Sequence, residues 1–168
     1  MKDSRGLLLA FGSNEAGAWG EPSAAILRAF DELGRSGVTL NRVSRLQVTP
    51  PLGPPGQADY VNAAAAGETA LEAEALLALL KRLEGEAGRR AGGMRWGPRP
   101  LDIDILDYGA GVRGWDTSHD PMRPAHLVLP HPELHKRTFV LRPLSEVAPD
   151  WRHPVLGKTA VEMLAALA

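Results

Sequence analysis

The sequence predicts one α+β domain in which four strands and two helices follow the order β-α-β-β-α-β, with additional elements at the C-terminal end. The first observation is a set of four short segments that are either continuously apolar or alternate between apolar and polar residues, as strands do. The second is a pair of segments whose apolar residues repeat every three or four positions, as in amphipathic helices. The third is the clustering of Gly and Pro between these segments, which separates them into distinct elements.

The first fifty residues supply two of these strands and one helix. Residues 7–11 are continuously apolar and end at a Gly-Ser-Asn turn, so they predict a short central strand. A helix is expected from Pro22, which suits a first helical position, to the glycines at 34 and 37. Residues 40–49 alternate and predict a second strand, which ends at Pro50 because proline cannot continue a sheet ladder.

A long proline-rich loop separates the second predicted strand from the third. Residues 49–59 are too many and too rich in proline for a hairpin turn, and ordered loops of this length are often functional. Residues 60–69 predict strand three. Its alternation places Tyr60, Asn62 and Ala64 on one face of the sheet.

The second helix and the fourth strand complete the predicted core. A capping-box pattern over residues 69–72 precedes a leucine stripe over residues 76–83, which predicts a helix that packs on the core. Residues 101–107 then predict strand four. The resulting order is the split βαβ arrangement of ferredoxin-like folds. Both helices would cover one face of the sheet, and the other face would be open for a site.

Two aspartates occupy alternate positions of the predicted strand four. A period of two places Asp102 and Asp104 on the same face, roughly 6 to 7 Å apart. Two charges at that distance repel by about 1 kcal/mol in water and about 3 kcal/mol at a dielectric near 20, so we expect either a hard cation or the neighbouring guanidinium groups to compensate them. Mg²⁺ suits a carboxylate pair, and the neighbouring Arg95 and Arg99 suit phosphate. An exposed strand face is the alternative interpretation, although the full run R-W-G-P-R-P-L-D-I-D-I is rare.

Length and composition restrict the class of protein. The 168 residues, 44% of them hydrophobic, fit a single domain over residues 1–168. A net charge of −1 argues against nucleic acid as a partner. The absence of cysteine excludes disulfides and thiolate chemistry and is compatible with a reducing compartment. No apolar run is long enough for a signal or a membrane span. We therefore expect a monomer in the cytoplasm that binds small molecules and contacts no membrane.

Several motifs occur together in a characteristic order. They are F-G-S-N near the start, T-P-P-L-G-P and D-Y-V-N-A in the middle, the run around Asp102, and L-P-H-P followed by R-T-F. In this order and spacing the chain resembles the 6-hydroxymethyl-7,8-dihydropterin pyrophosphokinase family of folate synthesis, over about residues 8–144. The resemblance implies a ferredoxin-like α+β core. It also implies transfer of a pyrophosphoryl group from ATP to the pterin hydroxymethyl group, with release of AMP.

The resemblance further implies roles for individual residues. Asp102 and Asp104 match two aspartates that hold a pair of Mg²⁺ ions bridging the ATP phosphates. The residues that match the family's phosphate contacts are Arg89, Arg99, His131 and Arg137. The residues that match its pterin pocket, where aromatic rings enclose the bicycle and Asn62 binds its edge, are Thr49, Pro50, Leu52, Tyr60, Asn62, Trp96 and Phe139.

Two features depart from the family pattern. A second loop arginine of the family falls at Ala91 here, with Arg90 adjacent to it. Either Arg90 replaces that arginine from a shifted loop, or phosphate binding is weaker. Residues 109–124 also form a longer segment than is usual, and no chemistry is assigned to them.

Other functions remain open at the level of sequence. A ferredoxin-like module that binds RNA or a small regulatory ligand would treat the acids as plain surface, although an RNA-binding sheet face is normally basic and aromatic. A different two-metal phosphotransferase or nucleotidyltransferase is the second alternative. His131 and His135 have the i, i+4 spacing of zinc ligands, but they lack the glutamate of H-E-x-x-H. No residue presents itself as a clear general base.

Overall fold

A mixed α/β architecture is built on one antiparallel sheet in the computed structural model, which describes residues 3–50, 55–89, 98–115 and 127–168. The strands are β1 (Arg5–Ser13), β2 (Val38–Val43), β3 (Gln47–Thr49), β4 (Tyr60–Thr69) and β5 (Asp102–Tyr108). The helices are α1 (Pro22–Arg35), α2 (Ala73–Glu86), α3 (Thr138–Val147) and α4 (Ala160–Ala165), with a short 3-10 turn at Leu134–Lys136. No helix in the described part of the chain has the length and apolarity needed to cross a bilayer.

Strand β1 lies inside the sheet and pairs on both sides. The sheet order is β2-β4-β1-β5, and β3 also pairs with β4. All of these pairings are antiparallel. The predicted strand three coincides with β4, and the predicted strand four differs from β5 by one residue at each end.

The predicted second strand is wrong as a continuous element. Residues 40–49 form β2 and β3 with a break between them, and both strands pair with β4. The break occurs because Ser44 turns towards β4. Its amide donates to the Ala64 carbonyl at 2.8 Å, and its hydroxyl accepts from the Ala64 amide at 2.9 Å. The Ser44 side chain thus takes the place of a backbone acceptor, and the chain changes direction before β3.

Helices α1 and α2 cover one face of the sheet, as the sequence predicts. The core beneath them joins Leu7, Leu9 and Phe11 of β1 with apolar side chains of both helices and of β5. In α2 the predicted leucine stripe is buried at Leu76, Leu80 and Leu83. Leu101, just before β5, faces this core together with Ile103 and Ile105 of β5. Asp102 and Asp104 face the other way, which confirms the predicted alternation.

The start of α2 differs from the predicted capping box. Thr69 is the last residue of β4, where its hydroxyl donates to the Gly37 carbonyl at 2.8 Å and accepts from the Leu71 amide at 3.1 Å. The N-cap is Glu72, which makes no side-chain cap hydrogen bond. The capping box over residues 69–72 is therefore wrong, because the threonine hydroxyl is already used in the strand connection.

The second face of the sheet is only half open, which corrects the prediction of an open face. A second apolar cluster places α3 and α4 against Leu8, Ala10, Ala64 and Leu106. These four strand residues are apolar and need cover from water, and the C-terminal helices supply it. Helix α3 forms over residues that suggest only an apolar run in the sequence, with Pro143 inside it. The uncovered half of the face is where the candidate site lies.

Candidate active site

A pocket of about 300 Å³ opens on the uncovered half of the sheet. It is lined by the ends of β1, β3 and β4, by β5, by residues just after α2 and just before β5, and by the segment that leads into α3. The lining residues are Ala10, Phe11, Gly12, Thr49, Pro50, Tyr60, Asn62, Arg89, Arg99, Asp102, Asp104, His131, Arg137 and Phe139. Every predicted site residue that the structure describes is among them. Leu52 and Trp96, like Arg90, Ala91 and Arg95, lie outside the described residues.

The two aspartates of β5 form the acidic part of the pocket. Their side chains are 37% exposed for Asp102 and 32% exposed for Asp104. Burial, together with the nearby charge of Asp102, raises the pKa of Asp104 to about 7. Two carboxylates on one face of a strand are a donor pair that suits a hard divalent cation.

A metal ion at this position would not be enclosed by the protein. Within the described ranges, no group of three or more His, Cys, Asp and Glu side chains is positioned to hold a metal ion. An ion bound by Asp102 and Asp104 would take its other ligands from water or phosphate oxygens, as Mg²⁺ commonly does. The donor set therefore fits a phosphate-bound Mg²⁺ and does not form a closed metal cage.

Arg89 is held between two acids. Its Nη1 atom donates to Asp102 Oδ1 and to Glu84 Oε2, each at 2.8 Å. The side chain of Glu84 is 2% exposed, and its Oε2 also accepts from the Ile103 amide at 3.0 Å. Burial, and then the charge of Asp102, raises the pKa of Glu84. Helix α2, Arg89 and the backbone of β5 are thus joined through one carboxylate.

Glu84 has a structural importance that the sequence analysis missed. It lies four residues after Leu80, so it belongs to the buried stripe of α2. An acid in an apolar stripe is the signal that could have identified it, because a buried carboxylate needs a charged or hydrogen-bonding partner.

His131 contributes a neutral ring beside the acids. Its Nδ1 accepts from the Glu133 amide at 3.1 Å, so the ring proton resides on Nε2, which lies 3.9 Å from Asp104 Oδ2. Burial, and then the charge of Arg137, lowers the pKa of His131 to about 4. The ring is therefore uncharged at pH 7 and can act there as a hydrogen-bond donor.

Arg137 and Phe139 flank the pocket at the start of α3. The guanidinium carbon of Arg137 lies 5.9 Å from the centre of the Phe139 ring, within the range of a cation-π contact. Arg89, Arg99 and Arg137 all line the pocket, so three positive charges surround the two aspartates. A polyanion such as a triphosphate suits this distribution of charge.

An amide and aromatic rings line the opposite part of the pocket. Asn62 is 5% exposed, and its Nδ2 donates to Thr49 Oγ1 at 2.6 Å. Thr49 pairs with Tyr60 across the β3–β4 ladder, so these three residues are held in register by the sheet. Burial raises the pKa of the Tyr60 hydroxyl, with a smaller contribution from the charge of Asp102. Together with Phe139, this wall provides ring faces and hydrogen-bonding edges for a flat heterocycle.

Asn14, directly after β1, is the second residue that the sequence analysis left without a role. Its Oδ1 accepts from the Arg99 amide at 2.8 Å, and its Nδ2 donates to the Ala58 carbonyl at 3.2 Å. The preceding Ser13 hydroxyl donates to the Pro100 carbonyl at 2.7 Å. Polar residues at the end of a buried strand and directly after it are the signal that could have found them.

Known proteins resemble this chain over most of its length. The model of the 7,8-dihydro-6-hydroxymethylpterin-pyrophosphokinase (HPPK) family matches residues 8–149. A Pseudomonas aeruginosa protein named 2-amino-4-hydroxy-6-hydroxymethyldihydropteridine pyrophosphokinase is 40% identical over 159 residues, which cover 94% of this chain and 89% of the relative. A protein of the same name from Haemophilus influenzae is 41% identical over 126 residues, covering 75% and 71%.

A solved structure shares the fold at low sequence identity. It is the crystal structure of Plasmodium falciparum HPPK-DHPS A437G with pteroate, with a TM-score of 0.69 and 13% identity. The match covers 98% of this chain and 43% of the Plasmodium chain. At this identity the likeness shows the fold alone.

Proposed function

Because the chain belongs to the 7,8-dihydro-6-hydroxymethylpterin-pyrophosphokinase family, we propose that the pocket on β5 is where it transfers a pyrophosphoryl group from ATP to hydroxymethyldihydropterin. The family and its named relatives make the chain a pyrophosphokinase of folate synthesis, with ATP as co-substrate. The observation that supports the location is that acids, arginines and an amide with aromatic rings all line one pocket. This membership also favours the pyrophosphokinase over the RNA-binding and other two-metal alternatives.

Asp102 and Asp104 are the proposed ligands of two Mg²⁺ ions. The position of both side chains on the same face of β5, where both line the pocket, supports this assignment. When bound, Mg²⁺ supplies positive charge that polarises the phosphates of ATP. Arg89, Arg99 and Arg137 would bind the phosphate oxygens and neutralise charge that develops on them, and neutral His131 would donate from Nε2.

The proposed chemistry is an in-line displacement at the β-phosphorus of ATP. The pterin hydroxyl oxygen forms a bond to the β-phosphorus and loses its proton, while the bond from that phosphorus to the bridging oxygen of AMP breaks. The protein mainly positions the two substrates, which removes much of the entropic barrier. We assign no side chain as the general base.

The pterin would bind against the β3–β4 wall. Tyr60 and Phe139 provide ring faces, Asn62 provides an amide edge, and Thr49 and Pro50 complete the described part of the wall. Leu52 and Trp96 remain proposed contacts on the basis of sequence. A flat heterocycle needs this combination of stacking faces and a few placed polar groups.

The detailed fold type, the domain bounds, the oligomeric state and the cellular location are also proposals. The element order and the strand order β2-β4-β1-β5 support a ferredoxin-like arrangement with C-terminal additions. A single domain over residues 1–168, a monomeric state, a cytoplasmic location and the absence of a nucleic-acid partner remain predictions.

The test is to incubate the protein with ATP, Mg²⁺ and 6-hydroxymethyl-7,8-dihydropterin and to measure both AMP and the pyrophosphorylated pterin. We expect the two products in equal amounts, and neither product without the pterin or the metal. ADP in place of AMP, or a phosphorylated product other than the pterin diphosphate, would contradict the proposal.

A further inference from the structure

Trp115 belongs to the segment at residues 109–124, to which the sequence assigns no chemistry, and it is not among the residues that line the pocket. Its indole Nε1 donates to the Pro130 carbonyl at 2.8 Å. Pro130 is buried, so its carbonyl needs a protein partner in place of water. Pro130 directly precedes His131, which belongs to the proposed phosphate subsite. The four residues of this subsite are Arg89, Arg99, His131 and Arg137.

The peptide group between Pro130 and His131 is held at both of its polar atoms. Its oxygen accepts from Trp115, and its nitrogen, the His131 amide, donates to the Leu106 carbonyl of β5 at 2.9 Å. Because the peptide group is planar, it cannot rotate without the loss of one of these hydrogen bonds. The His131 ring is attached directly after this plane, so its position depends on both bonds.

The backbone just before Trp115 is bonded to the same segment. Arg113 and Leu129 form an antiparallel bridge, in which the Arg113 amide donates to the Leu129 carbonyl at 2.7 Å and the Leu129 amide donates back at 2.9 Å. Leu129 is buried in the core beneath α1 and α2. Residues 113–115 therefore hold residues 129 and 130 through two backbone bonds and one indole bond.

Two histidine rings hold the indole of Trp115 in place. Its ring centre lies 5.2 Å from that of His153, edge to face, and 6.1 Å from that of His135. His153 is fully buried, and its Nδ1 accepts from the Val155 and Leu156 amides, so its ring is fixed independently of Trp115. The indole thus rests on a fixed support, which makes its N–H a fixed donor to Pro130.

We propose that Trp115 is a positioning residue that holds His131 in the phosphate subsite, an inference that rests on the proposed function. Nε2 of His131 lies 3.9 Å from Asp104 Oδ2, so the ring faces the acids that would bind Mg²⁺. With the indole bond in place, the N–H of His131 is oriented before the nucleotide binds, which lowers the cost of binding. Without that bond the peptide plane can turn, and the ring takes the required position less often.

The test is Trp115→Phe, which keeps an aromatic ring against His153 but removes the N–H that donates to Pro130. Calorimetry with Mg²⁺ and an ATP analogue that carries a methylene group between the α and β phosphorus atoms measures the nucleotide affinity of the folded protein. We expect the dissociation constant of the analogue to rise about tenfold and kcat to fall about tenfold, because a misplaced group costs both affinity and rate. The dissociation constant of the pterin should stay within about twofold of the wild-type value, because the pterin subsite on the β3–β4 wall is held by the sheet.

Trp151→Phe is the matched control. The ring centre of Trp151 lies 5.8 Å from that of His153, so Trp151 belongs to the same group of rings, but its Nε1 donates to no atom within the described residues. This substitution should lower the stability of the protein while the affinity for the analogue remains that of the wild type. An equal loss of affinity in the two variants would mean that the packing of the rings, and not the bond to Pro130, determines nucleotide binding, and it would overturn the proposal.

A double-mutant cycle tests whether Trp115 acts through His131. His131→Ala removes the ring, so no ring remains for Trp115 to position. In the His131→Ala background we expect Trp115→Phe to change the affinity for the analogue by less than about twofold. The cycle is informative even if Trp115→Phe lowers the stability, because both backgrounds carry the same substitution. Equal effects in the two backgrounds would show that Trp115 acts elsewhere and would contradict the proposed role.

The activity of the wild-type protein shows which of the two proposals fails. If the wild type binds the analogue and releases AMP, and Trp115→Phe binds the analogue equally well, only the role of Trp115 is overturned. A wild-type protein that neither binds the analogue nor releases AMP would contradict the proposed function itself, and the role of Trp115 with it.

Discussion

Arg89 Nη1 lies 2.8 Å from Asp102 Oδ1, so an arginine proposed to bind phosphate contacts an acid proposed to bind Mg²⁺. A cation that binds Asp102 must weaken this ion pair, because both compete for the same carboxylate. The second contact of Arg89, to the buried Glu84, does not depend on the metal site. Arg89 can therefore give up one acid and keep the other when the substrates bind.

Asp102→Asn and Asp104→Asn test the metal assignment. Each substitution removes one of the two negative charges on β5, so we expect the Mg²⁺-dependent release of AMP to fall about 100-fold or more. Initial rates across a Mg²⁺ titration provide the measurement. Asp150→Asn, at an exposed aspartate after α3, is the control and should behave as the wild type. If either variant on β5 kept most of its metal-dependent turnover, the assignment would be wrong.

Glu84→Gln tests the buried carboxylate. The substitution keeps an acceptor for the Ile103 amide but removes the charge opposite Arg89 and Lys81. We expect the free energy of unfolding to fall by about 2 kcal/mol and turnover to fall about tenfold, because Arg89 loses its fixed partner. Denaturant unfolding and steady-state rates provide the measurement.

The control for Glu84→Gln is Glu86→Gln on the same helix. Glu86 is half exposed and pairs with Arg82 at 3.5 Å, so its substitution should change the stability by no more than about 0.5 kcal/mol. Equal effects of the two substitutions would mean that burial of Glu84 has no special consequence.

Asn62→Ala tests the amide wall of the pterin subsite. The substitution removes the donor to Thr49 Oγ1 and the proposed contact to the pterin edge, so pterin binding should weaken by about 10-fold to 100-fold. The affinity for an ATP analogue should change little, and Asn41→Ala on β2 should alter neither. Loss of both affinities with a lowered melting temperature would instead indicate a folding defect.

His153 gives a predicted pH dependence of stability. Its side chain is fully buried, and its Nδ1 accepts from the amides of Val155 and Leu156. Burial, and then the charge of His135, lowers the pKa of His153 from 6.5 to about 4. Between pH 6.5 and about 4 the unfolded chain binds more protons than the folded one. The free energy of unfolding is therefore at its full value above pH 6.5 and falls as the pH drops towards 4.

Over this pH range the titration of His153 changes the free energy of unfolding by about 3 kcal/mol, a figure that follows from the size of the pKa change. His131, whose pKa is also lowered to about 4, contributes in the same direction, so the informative quantity is the difference between the wild type and a variant. In His153→Asn, the amide oxygen can accept from Val155 and Leu156 but does not titrate. Urea unfolding at pH 7 and 4.5 should show that the free energy of unfolding falls less in the variant than in the wild type. Equal falls in the two proteins would rule out this role of His153.

The parts of the fold that depend on local pattern follow well from the sequence. The period of two in a strand is enough to place Asp102 and Asp104 on one face of β5 and Ile103 on the other. The alternation of residues 60–69 is enough to define β4. Thr69 shows the limit of local pattern, because its hydroxyl contacts Gly37, 32 residues away. The same limit explains the half-covered face, since α3 packs on β1 and β4, which lie more than fifty residues before it.

The residues of the candidate site also fall into those that the sequence pattern identifies and those that depend on distant contacts. The residues proposed to contact substrates are of unusual type in a rare order, so the motifs identify them. Glu84 and Asn14 act through other parts of the protein, and their importance depends on which backbone groups come within hydrogen-bonding distance. That proximity is a property of the folded chain.

The pairing of Gly12 with both Asn62 and Asp102 fixes the separation of the two subsites. Neighbouring strands lie about 4.8 Å apart, so β4 and β5 are separated by about 10 Å across β1. Backbone hydrogen bonds maintain this spacing, and no loop contributes to it. We therefore expect insertions in the loops that border the pocket to alter substrate affinity and release while they leave the distance between the proposed acceptor and phosphate subsites unchanged.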